Sequence, residues 1–226
     1  MHALDNPIWQ ALTTSQAEFA ESCGQARRFP PEVTSLGAFS SPSSAAYDAL
    51  AELLSSDEVV ALLLETQVAT PAGWTMVEAA PFLQMIYQDG KPPVMSPELI
   101  ELTEPDVPEM LALATLTQPG PFGRRTRELG RYLGIRRAGY LVAMAGERLR
   151  MPGYTEVSAV CTHPDHIGQG YAAALITALV ARIRLRREQP FLHVRQENTR
   201  AIELYARLGF ITRRLLHMVV LRKHAA

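Results

Sequence analysis

Apolar residues recur along this chain in two rhythms, and the alternation between them predicts helices interleaved with strands. The clearest helical stretch follows Gly170, where Leu175, Ile176, Leu179, Val180 and Ile183 fall at three- and four-residue spacing and make one apolar stripe. Arg182, Arg184, Arg186 and Arg187 crowd its C-terminal end, where cations complement the helix dipole. Helices are also predicted over LDNPIWQALTT, with Asp5 or Asn6 capping before Pro7, and over TSQAEFAESC. SSPSSAAYDALAELLSSDEVVALLLE reads as a capped helix followed by a strand at 59 to 64, and FLQMIYQDG as a second strand ending in a turn. LIELT, at 99 to 103, is a short strand. Thr103 then caps a helix that runs through PEMLALATLT to the break at PGPFG, with Pro105 in its first turn and Asp106 placed to complete a capping box. Further strands are predicted at 137 to 146 (ending at a glycine turn), 156 to 162 and 190 to 194, with a long final one at 214 to 221. Strands interleaved in this way imply an α/β sheet with helices on its faces.

The stretch QDGKPPVMSP, residues 88 to 97, punctuates the pattern with Gly90, Pro92, Pro93 and Pro97. It divides the chain into an N-terminal α/β region, 1–92, and a second region, 97–226. No motif in the first region carries recognisable chemistry. There is no short-period repeat and no low-complexity tract.

Composition narrows the function classes. The chain has 226 residues, 47% of them hydrophobic and 20% charged, as ordinary soluble proteins do. A formal net charge of −1 provides no global field toward nucleic acid or an anionic membrane, so neither is expected as a partner. Cys23 and Cys161 lie far apart, without C-x-x-C or metal-like spacing, which argues against a disulfide framework and for a reducing compartment. No apolar run approaches the ~20 residues of a transmembrane helix, and MHALDNPIWQAL lacks the basic start of a signal peptide. A cytoplasmic location is expected.

CTHPDHIGQGYAAAL concentrates the candidate chemistry: a strand end, a polar turn, a loop with Gly168 and Gly170, and the start of the striped helix. With no acidic side chain close after Gly168, the free amides of that helix start suit an anion, and glycine lets backbone approach a phosphate. The same glycines could simply make a tight strand-to-helix turn. A nucleotide P-loop is excluded, because Gly170-Tyr171-Ala172 stands where Lys-Ser/Thr is required. A dinucleotide fingerprint lacks its third glycine and its following acid.

EVSAVCTHPDHIGQGYAAAL followed by FLHVRQENTRAIELYARLGF resembles the GNAT superfamily of acyl-CoA-dependent N-acyltransferases. The first block is similar to the family's acetyl-CoA motif, which falls on Ile167-Gly168-Gln169-Gly170-Tyr171-Ala172. The second is similar to its N-x-x-A-x-x-x-Y block, here Asn198, Ala201 and Tyr205, followed by Leu208-Gly209-Phe210. The resemblance covers roughly residues 97 to 226. It implies a mixed, mostly antiparallel sheet with helices on both faces. It also implies acetyl-CoA as co-substrate and transfer of an acetyl group to an amine on a small molecule or a protein, with room for a homodimer. Two departures stand out. Ile167 takes a position usually held by Arg or Gln, and the chain after Gly209 suits one long strand better than the family's two. The N-terminal half is therefore expected to complete the sheet, either as an added α/β layer or as a degenerate second copy of the fold.

The resemblance also assigns roles. The strand holding Val160, Cys161 and Thr162 would diverge from that at 192 to 194, and the pantetheine arm would lie between them. Tyr205 becomes the candidate general acid, although a lone tyrosine on an apolar face more often closes a core. Glu156 and His193 are the candidate bases; an exposed strand-end glutamate and a buried, hydrogen-bonded histidine are their plainer readings. Asn198 is both an N-cap and a candidate cofactor contact. Cys161 reads as a small packed residue, since direct attack by an amine needs no acyl-enzyme. Acceptor choice is expected from 104 to 137, which carries Arg124, Arg125, Arg127, Arg131, Arg136 and Arg137 near Phe122 and Tyr132, although such runs are usually solvated surface. A non-catalytic CoA-binding module and a partner-binding scaffold stay open as alternatives.

Overall fold

Asn6 starts the first helix: its side chain accepts the Trp9 N–H at 3.4 Å and Pro7 pre-sets the first turn, giving α1 (Pro7–Thr13). The computed structural model describes residues 2–89 and 98–224. The second predicted helix, TSQAEFAESC, is not one. Only a 3₁₀ turn forms (Ala17–Phe19), and the chain enters the hairpin β1 (Glu21–Cys23) and β2 (Ala26–Arg28). Gly24 turns it at φ 48°, and Arg28 Nε donates to its cross-strand partner Glu21 at 2.7 Å. The hairpin's turn and its cross-strand pair override the local helical pattern.

β3 (Gly37–Phe39) completes this small sheet, followed by α2 (Ser44–Glu52), capped by Ser43, and β4 (Val59–Leu64). β5 (Trp74–Tyr87) is twice as long as the apolar run at its end suggested: its first half exposes Val77, and Pro81 at its middle masks the continuation. The punctuated stretch from Gly90 to Pro97 lies outside the described residues. β6 (Ile100–Glu101) leads into the Thr103 cap, where Asp106 accepts the Thr103 N–H at 2.7 Å, and then α3 (Val107–Thr117). β7 (Tyr132–Arg137) escapes the sequence pattern altogether, and β8 (Tyr140–Met151) starts later and runs further than predicted. Gly146 does not end that strand. It lies within it, because a Cβ there would run into the Tyr132 ring. β9 (Tyr154–Thr162), α4 (Tyr171–Leu185), β10 (Gln189–Arg195), α5 (Thr199–Arg207) and β11 (Phe210–Lys223) complete the chain, with one long strand after Gly209 as expected.

Eight strands form one sheet in the order β4-β11-β5-β10-β9-β8-β7-β6. Every neighbouring pair is antiparallel except β9 and β10. β5 of the first region lies between β10 and β11 of the second, so the two regions divided at residues 92 to 97 share this sheet. The first region also repeats, in short form, the connectivity of the second. Antiparallel β7-β8-β9, helix α4 and parallel β10 have their counterparts in antiparallel β1-β2-β3, helix α2 and β4, which meets the chain just before β3 in a parallel bridge at Leu36 and Ala61.

Alternation along the strands sorts the core. Leu192 and Val194 pack with Leu175, Leu179, Tyr205 and Leu208, which places α4 and α5 on one face. Phe191 packs with Ile8, Leu12 and Leu149, and Met144 with Met110 and Leu113, which places α1 and α3 on the other. The functional groups lie where β9 and β10 let these two faces meet.

Candidate active site

β9 and β10 pair over three positions only, Tyr154 to Glu156 against Gln189 to Phe191. Beyond them the facing edges have no strand partner among the described residues, and the strands separate. β9 also bends here: Met144 pairs with Cys161 and Gly146 with Ser158, so Ala159 and Val160 together oppose Ala145, and Ala159 takes φ 51°. Val160, Cys161 and Thr162 therefore lie along the open stretch. The Cys161 thiol is buried and its pKa is pushed up to about 11 by desolvation, so it stays a packed thiol rather than a nucleophile.

The glycine loop closes one end of the gap. His163 shapes the turn by accepting the Asp165 N–H at 3.3 Å. Gly168 and Gly170 adopt φ 88° and 75°, and a Cβ on either would meet nothing within 4 Å, so glycine is needed for the left-handed backbone rather than for room. Residues 167 to 170 are exposed, and the first turn of α4 contains no acid and no side-chain cap. Its leading amides are thus open to an anion. Ile167 is 48% exposed beside them and supplies no polar contact. Arg137 reaches the helix start, donating to the Tyr171 hydroxyl at 2.8 Å with its guanidinium 4.9 Å over the ring, and that hydroxyl donates to Gln169. Ala172 and Ala201 are partly buried behind the gap, and Asn198 caps α5 by accepting the Ala201 N–H at 3.1 Å.

A cavity of about 720 Å³ opens from the gap across the face that carries α1 and α3. Val160, Val194, Asn198 and Tyr205 border its gap end. Burial pushes the Tyr205 phenol up to about 12 and keeps it protonated. The other walls of the cavity come from Ile8, Leu36, Leu63 and Phe82, all in the first region, and from the segment after α3 that ends at Phe122. This corrects the expected acceptor wall. None of the six arginines between 124 and 137 lines the cavity: Arg136 is bound to Asp106 and Glu109, Arg125 to Glu128, and Arg131 to Glu101.

Glu156 and His193 require a second correction, because both lie in a closed network. Glu156 is fully buried; its carboxylate takes both arms of Arg148 at 2.8 Å and His193 Nδ1 at 2.7 Å. Burial alone would raise its pKa, but the charge and hydrogen bonds of Arg148, with the His193 bond, hold it at about 2. Such a carboxylate is a poor base. On the other side of the ring, Gln84 is fixed by its own partners. Its Oε1 accepts from Arg213 at 2.8 Å, so its amide nitrogen must face Leu4 O at 2.8 Å and His193 Nε2 at 3.0 Å. Nε2 therefore accepts and Nδ1 carries the proton that points to Glu156. Both ring nitrogens are engaged, the side chain is 3% exposed, and no free base is left there. Sequence reading missed Gln84, Arg148 and Arg213, since their role arises only from cross-strand register.

The FR47-like protein family matches residues 132–219. A solved structure from Novosphingobium aromaticivorans, assigned to the GNAT family as an acetyltransferase, shares 40% identity over 100% of both chains with a TM-score of 0.92. A GCN5-related N-acetyltransferase from Kribbella flavida superposes over 96% of each chain with 19% identity and a TM-score of 0.59. A GCN5-related N-acetyltransferase-like protein from Streptococcus suis does so over 96% of this chain and 92% of its own, with 13% identity and a TM-score of 0.57. No curated protein matches.

Proposed function

The chain belongs to the GNAT family, and from that premise we propose that it is an acetyl-CoA-dependent N-acetyltransferase in which an amine attacks the thioester directly. The observation that carries this reading is the opening between β9 and β10, whose unpaired edges lead from exposed helix-start amides to a cavity holding a protonated phenol. The residues present fit the donor. Gly168, Gln169 and Gly170, with the first turn of α4 at Tyr171 and Ala172, offer main-chain N–H groups for a pyrophosphate. The β9 edge at Val160, Cys161 and Thr162 offers strand-like pairing for an amide-bearing arm, bordered by Asn198 and Ala201. Bound there, acetyl-CoA supplies an activated acyl thioester. Tyr205 holds a proton at its hydroxyl beside the gap for the departing sulfur, and the proton that the nitrogen loses on becoming an amide would restore the phenol. Arg148 and His193 line the cavity, and their bonds to the buried Glu156 and Gln84 hold them in place rather than leaving them free to exchange protons.

The test is binding followed by turnover. CoA and acetyl-CoA are expected to raise the melting temperature, as any ligand of the folded state does. Amine panels are then expected to release free thiol in a colorimetric assay. A second reading, a non-catalytic CoA-binding module, draws on Ile167 and on the two closed candidate bases. It would be favoured by a clear CoA-induced shift with no thiol released from any amine.

A further inference from the structure

Glu78, on β5, is the only acidic side chain that lines the cavity among the described residues. It grips Arg195 through Oε1, and its second oxygen has no partner among the described residues. Arg195 directly follows Val194, which borders the gap, so its guanidinium ties the carboxylate to the end of β10 on the gap side. The two guanidinium groups in the lining are already balanced. Arg148 is held by both oxygens of Glu156, while Arg195 is shared between Glu78 and Glu197, at 3.8 Å from the latter, and lies 5.3 Å over the Phe82 ring. An anionic acceptor would find no unspent cation here, whereas an ammonium group would find a carboxylate oxygen. The walls that the first region and β11 contribute are mostly apolar, Ile8, Leu36, Leu63, Phe82, Met218 and Val220 with Ser35 among them, while Thr115, Thr117 and Gln118 bring hydroxyl and amide groups on the α3 side. A volume of about 720 Å³ suits a small molecule together with the end of a donor arm.

Resting on the transferase reading, we propose that this chamber takes a small primary amine with an uncharged, apolar body, and that Glu78 receives its ammonium group. The first region of the chain then sets acceptor choice: it contributes the carboxylate, through β5, and the apolar side chains Ile8, Leu36, Leu63 and Phe82. Glu78 holds the incoming cation next to the gap, and the neutral fraction of the amine reacts with the thioester. The proton leaves to solvent through the half-exposed carboxylate, whose side chain is 45% accessible.

The experiment uses the full chain with CoA present. Calorimetry and steady-state kinetics compare 2-phenylethylamine and hexylamine with amino acids bearing a free carboxylate and with a short peptide carrying a free N-terminus. The apolar amines are expected to bind and turn over best. Glu78→Gln is expected to weaken their binding and raise their KM roughly tenfold, the scale of one lost charge-assisted hydrogen bond. Donor affinity and melting temperature should not move, and Glu78→Asp should recover part of the loss. Unchanged amine affinity in Glu78→Gln, or preference for the carboxylate-bearing amines or the peptide, would overturn the proposal while leaving the transferase reading intact. Amine binding that depends on Glu78 without any transfer would do the reverse.

Discussion

Tyr205 illustrates how little of its role a single residue announces. It lies on α5 among Leu208, Phe210 and the sheet, as a core tyrosine would, with its ring 6.1 Å from that of Phe210. Only the opening between β9 and β10 turns its hydroxyl into part of the cavity wall. Tyr205→Phe keeps the packing and removes the proton. It is expected to lower kcat about a hundredfold, a usual scale for a lost general acid, while donor affinity measured by calorimetry stays within twofold of the parent. Equal rates in the two proteins would reassign the phenol to the core. Tyr205 was legible because its motif is local. Glu156 was legible as a position but not as an environment: a glutamate near a strand start reads as exposed, and the Arg148 that buries it arrives across the β8-β9 pairing, at an irregularity in register.

At the level of elements, much of the second half of the chain could be read closely because its strands and helices are bounded by glycine, proline or a cap. α4 and its loop, the Thr103 cap and the long final strand all match their sequence patterns. The misses share a cause. β7, the first half of β5 and the hairpin of β1 and β2 owe their extended state to partners distant in sequence or to a turn, and their own alternation is weak. The glycine loop allows a sharper test. Gly170 begins α4 in the left-handed region, so Gly170→Val adds backbone strain at the helix start although there is space for the side chain. The variant is expected to fold, with a melting temperature a few degrees lower, and to lose the CoA-induced shift. A retained shift would place the donor elsewhere.

For the molecule as a whole, the buried network under the cavity joins both regions. Leu4 and Gln84 come from the first, Arg148, Glu156, His193 and Arg213 from the second, and Asp5 of the N-terminal turn accepts from Arg213 at 2.6 Å. Glu156 carries its acid sensitivity. Its folded pKa of about 2 lies below the ordinary 4.5, so its contribution is fully present above pH 4.5 and is lost as pH falls through 2. Glu156→Gln leaves Arg148 buried without its counter-ion and is expected to cost about 3–5 kcal/mol at pH 7. Urea unfolding of parent and variant at neutral and acid pH checks both statements. The gap between the two should narrow as pH drops, and a gap independent of pH would remove Glu156 from the acid limb.

The position of β5 has a consequence during synthesis. That strand leaves the ribosome early, yet Met85 must find Leu192 on one side and Thr212 on the other. The nascent polypeptide therefore carries an unmated central plank until β10 and β11 have also been made, and closure comes in a late, long-range step. Slow acquisition of native signal after release, together with dependence on chaperones that shield sticky edges, is the behaviour such wiring imposes.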